Sequence, residues 1–516
     1  MMTLTQRLQQ FQIGVANNID VAPQPIVGFS GWAPDRAPLG SSGSINATNV
    51  IPTTDGFRPL PNLKTQASAL TARCQGAVAV QATGGEVYIY AADATKLYRI
   101  DVSESLTDVT GDYEEAASDA QIEYAHFGNT ILATHIATPL QGAAIGSGNF
   151  SDHITSSDKP QARHIAVIRD QVVLGDTTDE TDGDQPSRVW WSGLNDSKNF
   201  TPAASTLSDF QNVAGGEAGR VMRVVGGAEY GLIFLEHQIV RMSFVGAPLT
   251  YQLDTINRRH GTPISGSVIG HGRLVFYVSE EGFYFTDGTS STPIGHGMVD
   301  RFFWDNFDLS NQSRMFSAID PVNKTVCWSH PGEGTSIAGE PNRIWFYNWA
   351  ENKWSEGEVT TQLVFTGVDA GLTLSELDTI SSTLSGLPFP LGSRAYQGGD
   401  KVLAAFNGSN VYCTFEGANL AATLDTGEFQ PFRGQRSEVT GIRPYIDGGT
   451  ITAAVASRIR VQDSASFGSA ASLNASGLCT LLSEGRHHRV RCSVAAGGTW
   501  THAQGVEITA VGTGVT

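Results

Sequence analysis

The stretch that decides the fold begins at Val221-Met-Arg-Val-Val-Gly-Gly and runs into Tyr230-Gly-Leu-Ile-Phe-Leu. A short apolar strand, a glycine turn and an aromatic-rich strand form a pattern that returns at residues 239–244, 274–278, 282–288, 325–328 and 344–347. Short strands rich in Val, Ile and aromatic residues, divided by turn residues, predict closely spaced antiparallel pairing. When such hairpins continue for hundreds of residues, radial repetition buries their faces and shortens exposed edges. We therefore predict an all-β fold built on a β-propeller of about six blades.

The chain divides by composition into three parts. Residues 1–60 are rich in Pro, Gly, Ser and Asn and predict an extended N-terminal arm that lies over another domain or a neighbouring subunit. Residues 61–436 carry the propeller pattern, with hairpins at 87–100, 122–134 and 164–175. Residues 437–516 alternate between apolar and polar and turn at Asp447-Gly448, which predicts a small β-sandwich-like C-terminal domain. Short helices are expected only at residues 4–11, 112–120 and 373–384.

Bulk composition agrees with a loop-rich β protein. The chain has 516 residues, of which 40% are hydrophobic, 16% are charged, 57 are Gly and 21 are Pro. Charge is below the typical ~25% and turn formers are abundant, which excludes a disordered chain. Neither a signal peptide nor a run of ~20 apolar residues is present, so we expect a protein without a membrane anchor that is made in the cytoplasm.

Charge is distributed unevenly along the chain. The formal net charge is -18 at pH 7, which argues against a protein whose main work is to wrap DNA. Between residues 433 and 491, however, eight arginines stand against four acidic residues, which suggests contact with a negatively charged partner at this end. The alternative is a solvated, arginine-bearing sheet face. The candidate docking or DNA-facing patch consists of Arg433, Arg436, Arg486, His487, His488, Arg489 and Arg491.

Patterns for catalysis and metal binding are weak. The acidic stretch 176–184 lacks the ligand spacing of a calcium loop, so we interpret it as a solvated loop. Adjacent Glu280 and Glu281 would point to opposite faces of a strand and are interpreted as a turn. The histidines of Gly270-His-Gly and Gly295-His-Gly have no regularly spaced ligand partners, and the five scattered cysteines favour reduced core thiols. We expect no catalytic residues, no metal and no cofactor.

Several short motifs follow one another along nearly the whole chain. They are Trp32-Ala-Pro-Asp, Asn49-Val-Ile-Pro, Gly56-Phe-Arg-Pro, Val189-Trp-Trp-Ser, Glu281-Gly-Phe-Tyr-Phe-Thr-Asp-Gly, Pro293-Ile-Gly, Ile344-Trp-Phe-Tyr-Asn-Trp, Lys353-Trp-Ser, Phe415-Glu-Gly-Ala-Asn-Leu, Asp425-Thr-Gly-Glu, Arg486-His-His-Arg and Gly498-Thr-Trp-Thr-His-Ala-Gln-Gly. Each motif alone consists mostly of common turn and strand residues, so the resemblance rests on the order in which the motifs occur. In that order the chain resembles tail hub or nozzle proteins of tailed bacteriophages, which are similar to the packaged-DNA stabilisation protein of short-tailed phages.

The resemblance implies a β-propeller that assembles into a ring, usually a homo-hexamer, below the portal and head–tail adaptor proteins. In that family the ring extends the DNA channel, closes it after packaging and supports tail spikes or fibres. For this chain it implies a structural protein of the virion tail, with packaged double-stranded DNA passing through the lumen during ejection. A receptor-binding or carbohydrate-active β-propeller tail protein is the alternative.

Overall fold

The computed structural model describes residues 26–37, 43–101, 104–213, 218–368, 381–386 and 401–514. Within these ranges the chain forms 39 strands and one α-helix, α1 (Asp300–Asn306), with short 3-10 turns at Ser265–Ser267, Leu309–Arg314 and Leu384–Gly386. The all-β prediction is confirmed. The helix expected at 4–11 and most of the one expected at 373–384 lie outside the described residues. The helix expected at 112–120 was wrong, because this segment contains only bends, a turn and irregular backbone.

Five short strands precede the repetitive part of the fold. They are β1 (Ile26–Gly28), β2 (Ala47–Thr48), β3 (Val50–Thr53), β4 (Gly56–Pro59) and β5 (Lys64–Ala69). Strands β3 and β4 form a hairpin in which Val50 pairs with Pro59 and Thr53 with Gly56. All five strands pair with strands that lie elsewhere in the chain or with each other.

Seven four-stranded antiparallel meanders follow in chain order. The first three comprise β6 (Gly76–Gln81), β7 (Val87–Ala92), β8 (Leu97–Ile100) and β9 (Leu106–Asp108); β10 (Glu123–Phe127), β11 (Thr130–Thr134), β12 (Gln141–Ala144) and β13 (Ser151–Asp152); β14 (Gln161–Ile168), β15 (Gln171–Asp179), β16 (Gly183–Trp191) and β17 (Asp209–Asn212). The next three comprise β18 (Val221–Val225), β19 (Tyr230–Leu235), β20 (Ile239–Gly246) and β21 (Thr250–Asn257); β22 (Ile269–His271), β23 (Leu274–Ser279), β24 (Gly282–Thr286) and β25 (Ser291–Pro293); β26 (Phe316–Asp320), β27 (Thr325–His330), β28 (Arg343–Asn348) and β29 (Lys353–Gly357). The seventh comprises β30 (Thr361–Val368), β31 (Lys401–Asn407) and β32 (Val411–Thr414), and β5 is its fourth strand.

The first strands of the meanders contact one another in sequence. Strand β6 contacts β10, β10 contacts β14, β14 contacts β18, β22 contacts β26, β26 contacts β30, and β30 contacts β6. Between β18 and β22 the side chain of Val225 packs against Gly270, where an added Cβ would lie 2.9 Å from Cγ1 of Val225. The described residues therefore contain seven meanders where about six blades are predicted, and the closed propeller stays a prediction.

The remaining strands extend two sheets across the ends of the chain. They are β33 (Ala422–Asp425), β34 (Arg436–Ile446), β35 (Ile451–Arg458), β36 (Ala471–Ser472), β37 (Cys479–Gly485), β38 (His487–Val494) and β39 (Ala503–Gly514). Strand β2 lies between β29 and β33, so the sixth meander continues through β33, β38, β35 and β36 as a nine-stranded sheet. A second sheet has the order β3-β4-β39-β34-β37, with β1 also on β39. Both sheets cross the predicted boundaries near residues 60 and 436, and those boundaries stay predictions.

One aromatic core joins segments from both ends and the middle of the chain. Trp32 packs edge-on against Trp345 with ring centroids 4.8 Å apart. Phe283 packs against Trp345 at 5.7 Å and against Trp354 at 4.9 Å. Trp500 is buried in the same cluster, at 1% exposure. Large, fully buried aromatic side chains dominate core energetics, so this cluster holds the N-terminal segment and the C-terminal strands onto the meanders.

Candidate functional site

The predicted basic patch lies on β38 and on the loop that leads into β34. Strand β38 alternates as predicted, because His488, Val490 and Cys492 point into the core and Arg489 and Arg491 lie on the other face. His488 is fully buried between two hydroxyls, with Nε2 2.8 Å from Oγ of Ser437 and Nδ1 2.7 Å from Oγ of Ser457. Burial lowers its pKa to about 4, so His488 is neutral near pH 7 and contributes no positive charge to the patch.

The arginines of β38 are held by neighbouring side chains. Nε and Nη2 of Arg491 donate to the two carboxylate oxygens of Asp425 at 2.7 and 2.9 Å, and this pairing raises the pKa of Arg491. The guanidinium carbons of Arg489 and Arg491 lie 4.7 and 4.1 Å from the ring centre of Phe467. A bidentate pair and two cation–π contacts are structural uses of these groups. These contacts leave less positive charge for a partner than the number of arginines in the sequence suggests.

A second carboxylate, that of Glu428, neutralises Arg458 at the end of the neighbouring strand β35. Glu428 accepts from Nε and Nη2 of Arg458 at 2.7 and 2.6 Å. His487 is also buried here, with Nδ1 3.7 Å from Oε1 of Glu428, and burial lowers its pKa. Both Asp425 and Glu428 precede residue 433, so counting charges from 433 to 491 leaves out the two acids that pair with this sheet.

Three of the seven patch residues remain together at a rim. Arg433 is exposed, Arg436 is half-buried at the start of β34, and Nη2 of Arg486 donates to the backbone oxygen of Gly434 at 3.3 Å. We call Arg433, Arg436 and Arg486 the arginine rim. The structure therefore divides the predicted patch into this rim and a second part, in which the two histidines are buried and Arg489 and Arg491 are half-buried beside Phe467.

A second charged region, not predicted from the sequence, lies among the first strands of the meanders. Glu123 of β10 is buried, and its Oε1 lies 2.7 Å from Nδ1 of His164 and 2.5 Å from Nη1 of Arg223. Its Oε2 accepts the backbone N–H of Ile165 at 3.2 Å. Burial raises the pKa of Glu123, but the nearby Arg223 and His164 more than offset this and hold it below its usual value. This network ties β10, β14 and β18 together with an ionised carboxylate at its centre.

One side chain crosses the space between these strands. Gln121 precedes β10, and its Nε2 donates to the backbone oxygens of Ser313 and Met315 at 2.6 and 3.2 Å. Its Oε1 accepts from Oγ of Ser265 at 2.8 Å. These partners precede β26 and β22, which belong to the sixth and fifth meanders, whereas Gln121 enters the second. The bridge has no room for a side chain at Gly266, where a Cβ would lie 1.9 Å from the Met315 oxygen.

The Trp-Ala-Pro-Asp motif has a structural role at α1. The carboxylate of Asp35 accepts the backbone N–H groups of Arg301 at 2.8 Å and of Phe302 at 2.9 Å. These donors lie in the first turn, where helices have no internal acceptors. Asp300 lies beside them, accepts the N–H of Phe283 at 3.0 Å, and has a pKa that burial, with the nearby Asp35 charge, raises to about 6. The motif thus fixes the N-terminal segment to a helix almost 270 residues away.

The interpretation of the acidic stretch 176–184 as a solvated loop holds for the exposed residues 180–184 and was wrong for residues 176–179. Asp176 to Asp179 lie at the end of β15, and only residues 180–182 form the turn before β16. Asp176 is fully buried, and Nη1 of Arg188 lies 3.0 Å from Asp179 while its Nη2 lies 2.7 Å from Asp182. Arginines therefore neutralise carboxylates that a cation would otherwise bind.

The remaining sequence predictions concern turns and thiols. Glu280 and Glu281 form the turn between β23 and β24, as predicted. The five cysteines are all buried and form no disulfide, which confirms the interpretation as core thiols. Burial raises the pKa of Cys74 and of Cys327 to about 12. The part of the chain that the structure describes contains no group of three or more His, Cys, Asp or Glu that could hold a metal ion.

Comparison with known proteins assigns no family to this fold. None of the described helices combines the length and apolarity that a bilayer crossing requires. No protein-family model matches the chain, and no curated protein matches it significantly.

Proposed function

We propose that this chain is a seven-bladed β-propeller and that it serves as a structural subunit of the tail hub or nozzle ring of a tailed bacteriophage. In this proposal several copies, six by the family resemblance, form a ring below the portal and head–tail adaptor proteins. The ring extends and closes the DNA channel and supports tail spikes or fibres.

Support for the propeller comes from the order of contacts between meanders. In five of the six steps along the chain the first strand of a meander contacts the first strand of the next, and β30 of the seventh contacts β6 of the first. Strand β5, which precedes β6, is the outer strand of the seventh meander and pairs with β32. A strand from the start of the chain thereby completes the last blade of the proposed propeller. This pairing would hold the first and last blades together.

The observation that carries the structural role is the shared core of the quoted motifs. Trp32, Phe283, Trp345, Trp354 and Trp500 belong to five motifs spread over almost the whole sequence, and all lie in one buried cluster. The spacing of these motifs is therefore explained by packing between an N-terminal segment, the fifth and sixth meanders and the C-terminal sheets. A unit joined in this way transmits force between its ends, which suits a wall component of a virion channel.

The proposed mechanism places DNA outside the axis of the single subunit. Gln121 bridges across that axis, so a duplex would pass through the centre of the assembled ring. The net charge of -18 disfavours adhesion of DNA phosphates to the lumen wall. The arginine rim is the proposed docking contact with the adaptor or portal side, in place of the larger predicted patch.

The oligomeric mass of the purified full-length chain tests this proposal. We expect a ring of several copies by light scattering and negative-stain electron microscopy, and attachment to tail-less heads in a complementation extract. Replacing Arg433 and Arg486 with Glu should abolish attachment but leave the ring intact. The matched control is Arg273→Glu, which changes an exposed arginine paired with Glu229 far from the rim. A chain that stays monomeric with heads present, or normal attachment of the double variant, would refute the ring or the docking role, respectively.

A receptor-binding or carbohydrate-active tail protein is the second candidate function. It is favoured by a cavity of about 280 Å³ lined by Arg163, Asp176 and Arg220. Such a protein would be expected as a trimer that binds glycans, so the same mass measurement, together with a glycan-binding assay, separates the two functions.

A further inference from the structure

A charged cavity opens where the connections between meanders converge. Its volume is about 280 Å³, close to the lower end of the ~300–1,000 Å³ typical of ligand pockets. It is lined by residues in or just before the first strands of five meanders, by Asp176 of β15, and by His135 and Ile136 in the connection between β11 and β12. Part of its wall is formed by Gln121 and by two of its hydrogen-bond partners, Ser265 and Ser313. The cavity is therefore a polar recess with a fixed wall.

The charged groups of this cavity are arranged around one buried carboxylate. Nε of Arg163 lies 3.2 Å from Oδ2 of Asp176, and Nε and Nη2 of Arg220 both lie 3.0 Å from the same oxygen. Asp176 is 0% exposed, and its Oδ1 has no hydrogen-bond partner within the described residues. A buried oxygen without a donor is costly unless water or a ligand supplies one. The second oxygen of Asp176 is thus a buried acceptor without a donor, on a residue that lines the cavity.

The two arginines have donors that Asp176 does not use. A guanidinium carries five N–H donors, and the contacts with Asp176 involve only Nε of Arg163 and Nε and Nη2 of Arg220. Their side chains are 42% and 37% exposed, so they reach the opening of the cavity as well as its wall. Paired guanidiniums bind carboxylates well because their planar donors match the two oxygens. Asp119 at the exposed rim carries the opposite charge, so binding should be modest and sensitive to salt.

We propose that this cavity binds a single acidic sugar, a hydroxylated carboxylate. Its carboxylate is held by the unused donors of Arg163 and Arg220, and one of its hydroxyl groups donates to Oδ1 of Asp176. An anion without a hydroxyl satisfies the arginines only, and a neutral sugar satisfies Asp176 only. The proposal does not depend on assembly of the chain into a ring.

Calorimetric titration of the full-length protein with sodium glucuronate tests this site. Saturable binding is expected at low ionic strength, with glucose and acetate, a carboxylate without a hydroxyl, each binding at least about tenfold more weakly. Arg220→Gln should weaken glucuronate binding by about tenfold or more, since it removes a charge-assisted pairing. Arg273→Gln, at an exposed ion pair outside the cavity, is the control and should bind as the unmodified chain does.

A second variant protects the test against a folding defect. Met222 lines the cavity and is half-buried, so Met222→Trp should fill the recess and abolish binding without removing a charge. Absence of saturable binding to the unmodified chain would overturn the proposal. So would glucuronate binding that survives Met222→Trp, because the ligand would then lie elsewhere. Acetate binding as strong as that of glucuronate would overturn the assignment to an acidic sugar, because no hydroxyl group would then be needed.

Discussion

Replacing Asp300 with Asn should remove a pH-dependent weakness at the start of α1. Asp300 is 8% exposed, and its Oδ1 accepts the backbone N–H of Phe283 at 3.0 Å. Burial, reinforced by the charge of Asp35, raises its pKa from 3.8 to about 6. An asparagine keeps the shape and an acceptor oxygen for Phe283 but has no proton to lose. The variant therefore reports the free energy of ionising this carboxyl group inside the fold.

The sign and size follow from the two pKa values of Asp300. Because the folded pKa is raised, the folded chain binds the proton more tightly than the unfolded chain, and this stabilisation is complete below about pH 3.8. It is lost as the pH rises through about 6. A shift of about two units corresponds to roughly 3 kcal/mol. The free energy of unfolding of Asp300→Asn, relative to the unmodified chain, should therefore increase by about that amount from the acidic to the neutral side.

Urea unfolding followed by tryptophan fluorescence measures this difference, since the core tryptophans surround α1. Both proteins are compared at several pH values from 4 to 8, so that all other titrating groups cancel. Asp305→Asn, at an exposed position of the same helix, is the matched control for the substitution itself. A stability difference that stays the same over this range, or that decreases as the pH rises, contradicts the reasoning.

Two further substitutions test single contacts of the fold. Asp35→Ala removes two hydrogen bonds at the start of α1 and should lower the free energy of unfolding by about 1 kcal/mol. Asp55→Ala, in an exposed turn, is the control and should leave the urea midpoint unchanged. Gly266→Ala places a Cβ 1.9 Å from the backbone oxygen of Met315 and should cost about 1–3 kcal/mol. Gly468→Ala is its steric control, because an added Cβ there would meet nothing closer than 3.7 Å and the backbone is not in the left-handed region. An equal loss in both variants would exclude a clash between residue 266 and Met315.

Local hairpins were predictable from the sequence because their signals are local. The turn at Gly128-Asn129 has its glycine at a φ of 59°, and Phe127 pairs with Thr130 across it, as the alternation on either side predicts. The strands at 221–225, 230–235 and 282–286 also lie where the apolar runs place them. Hairpin pairing depends on residues close in the chain, which a single sequence contains.

Long-range partners were not predictable from the sequence. Helix α1 follows the turn at 296–299 and is capped by Asp35, whereas residues 112–120 have no such partner and do not form a helix. Strand β2 has only two residues, yet it joins β29 to β33 and makes one sheet of two predicted domains. Its role depends on neighbours more than 300 positions away, which strand propensity does not report.

Of the candidate site, the sequence indicated the basic residues but neither their acidic partners nor the cavity around Asp176. The alternation of apolar and polar residues in β38 is visible in the sequence, but composition counts charges without their partners. Asp425 and Glu428 neutralise this sheet from outside the window that was counted. The cavity around Asp176 was missed for the complementary reason, since its acid lies in an acidic run while Arg163 comes from β14 and Arg220 from the residue before β18. Net charge therefore indicates a partner only where the structure leaves charges unpaired.

The hydrogen bonds of Gln121 constrain the proposed ring more strongly than the arrangement of the strands does. In the proposed propeller the axis would be an obvious candidate for a passage, yet Gln121 joins the segments before the second, fifth and sixth meanders through hydrogen bonds to residues 144 to 194 positions away. Opening that axis would require breaking these bonds and separating strands that Glu123 and Arg223 hold together. A subunit that surrounds DNA must therefore do so beside other copies of itself. It follows that a monomer cannot perform the proposed function, and that the number of copies in the assembly is the property on which the proposal depends.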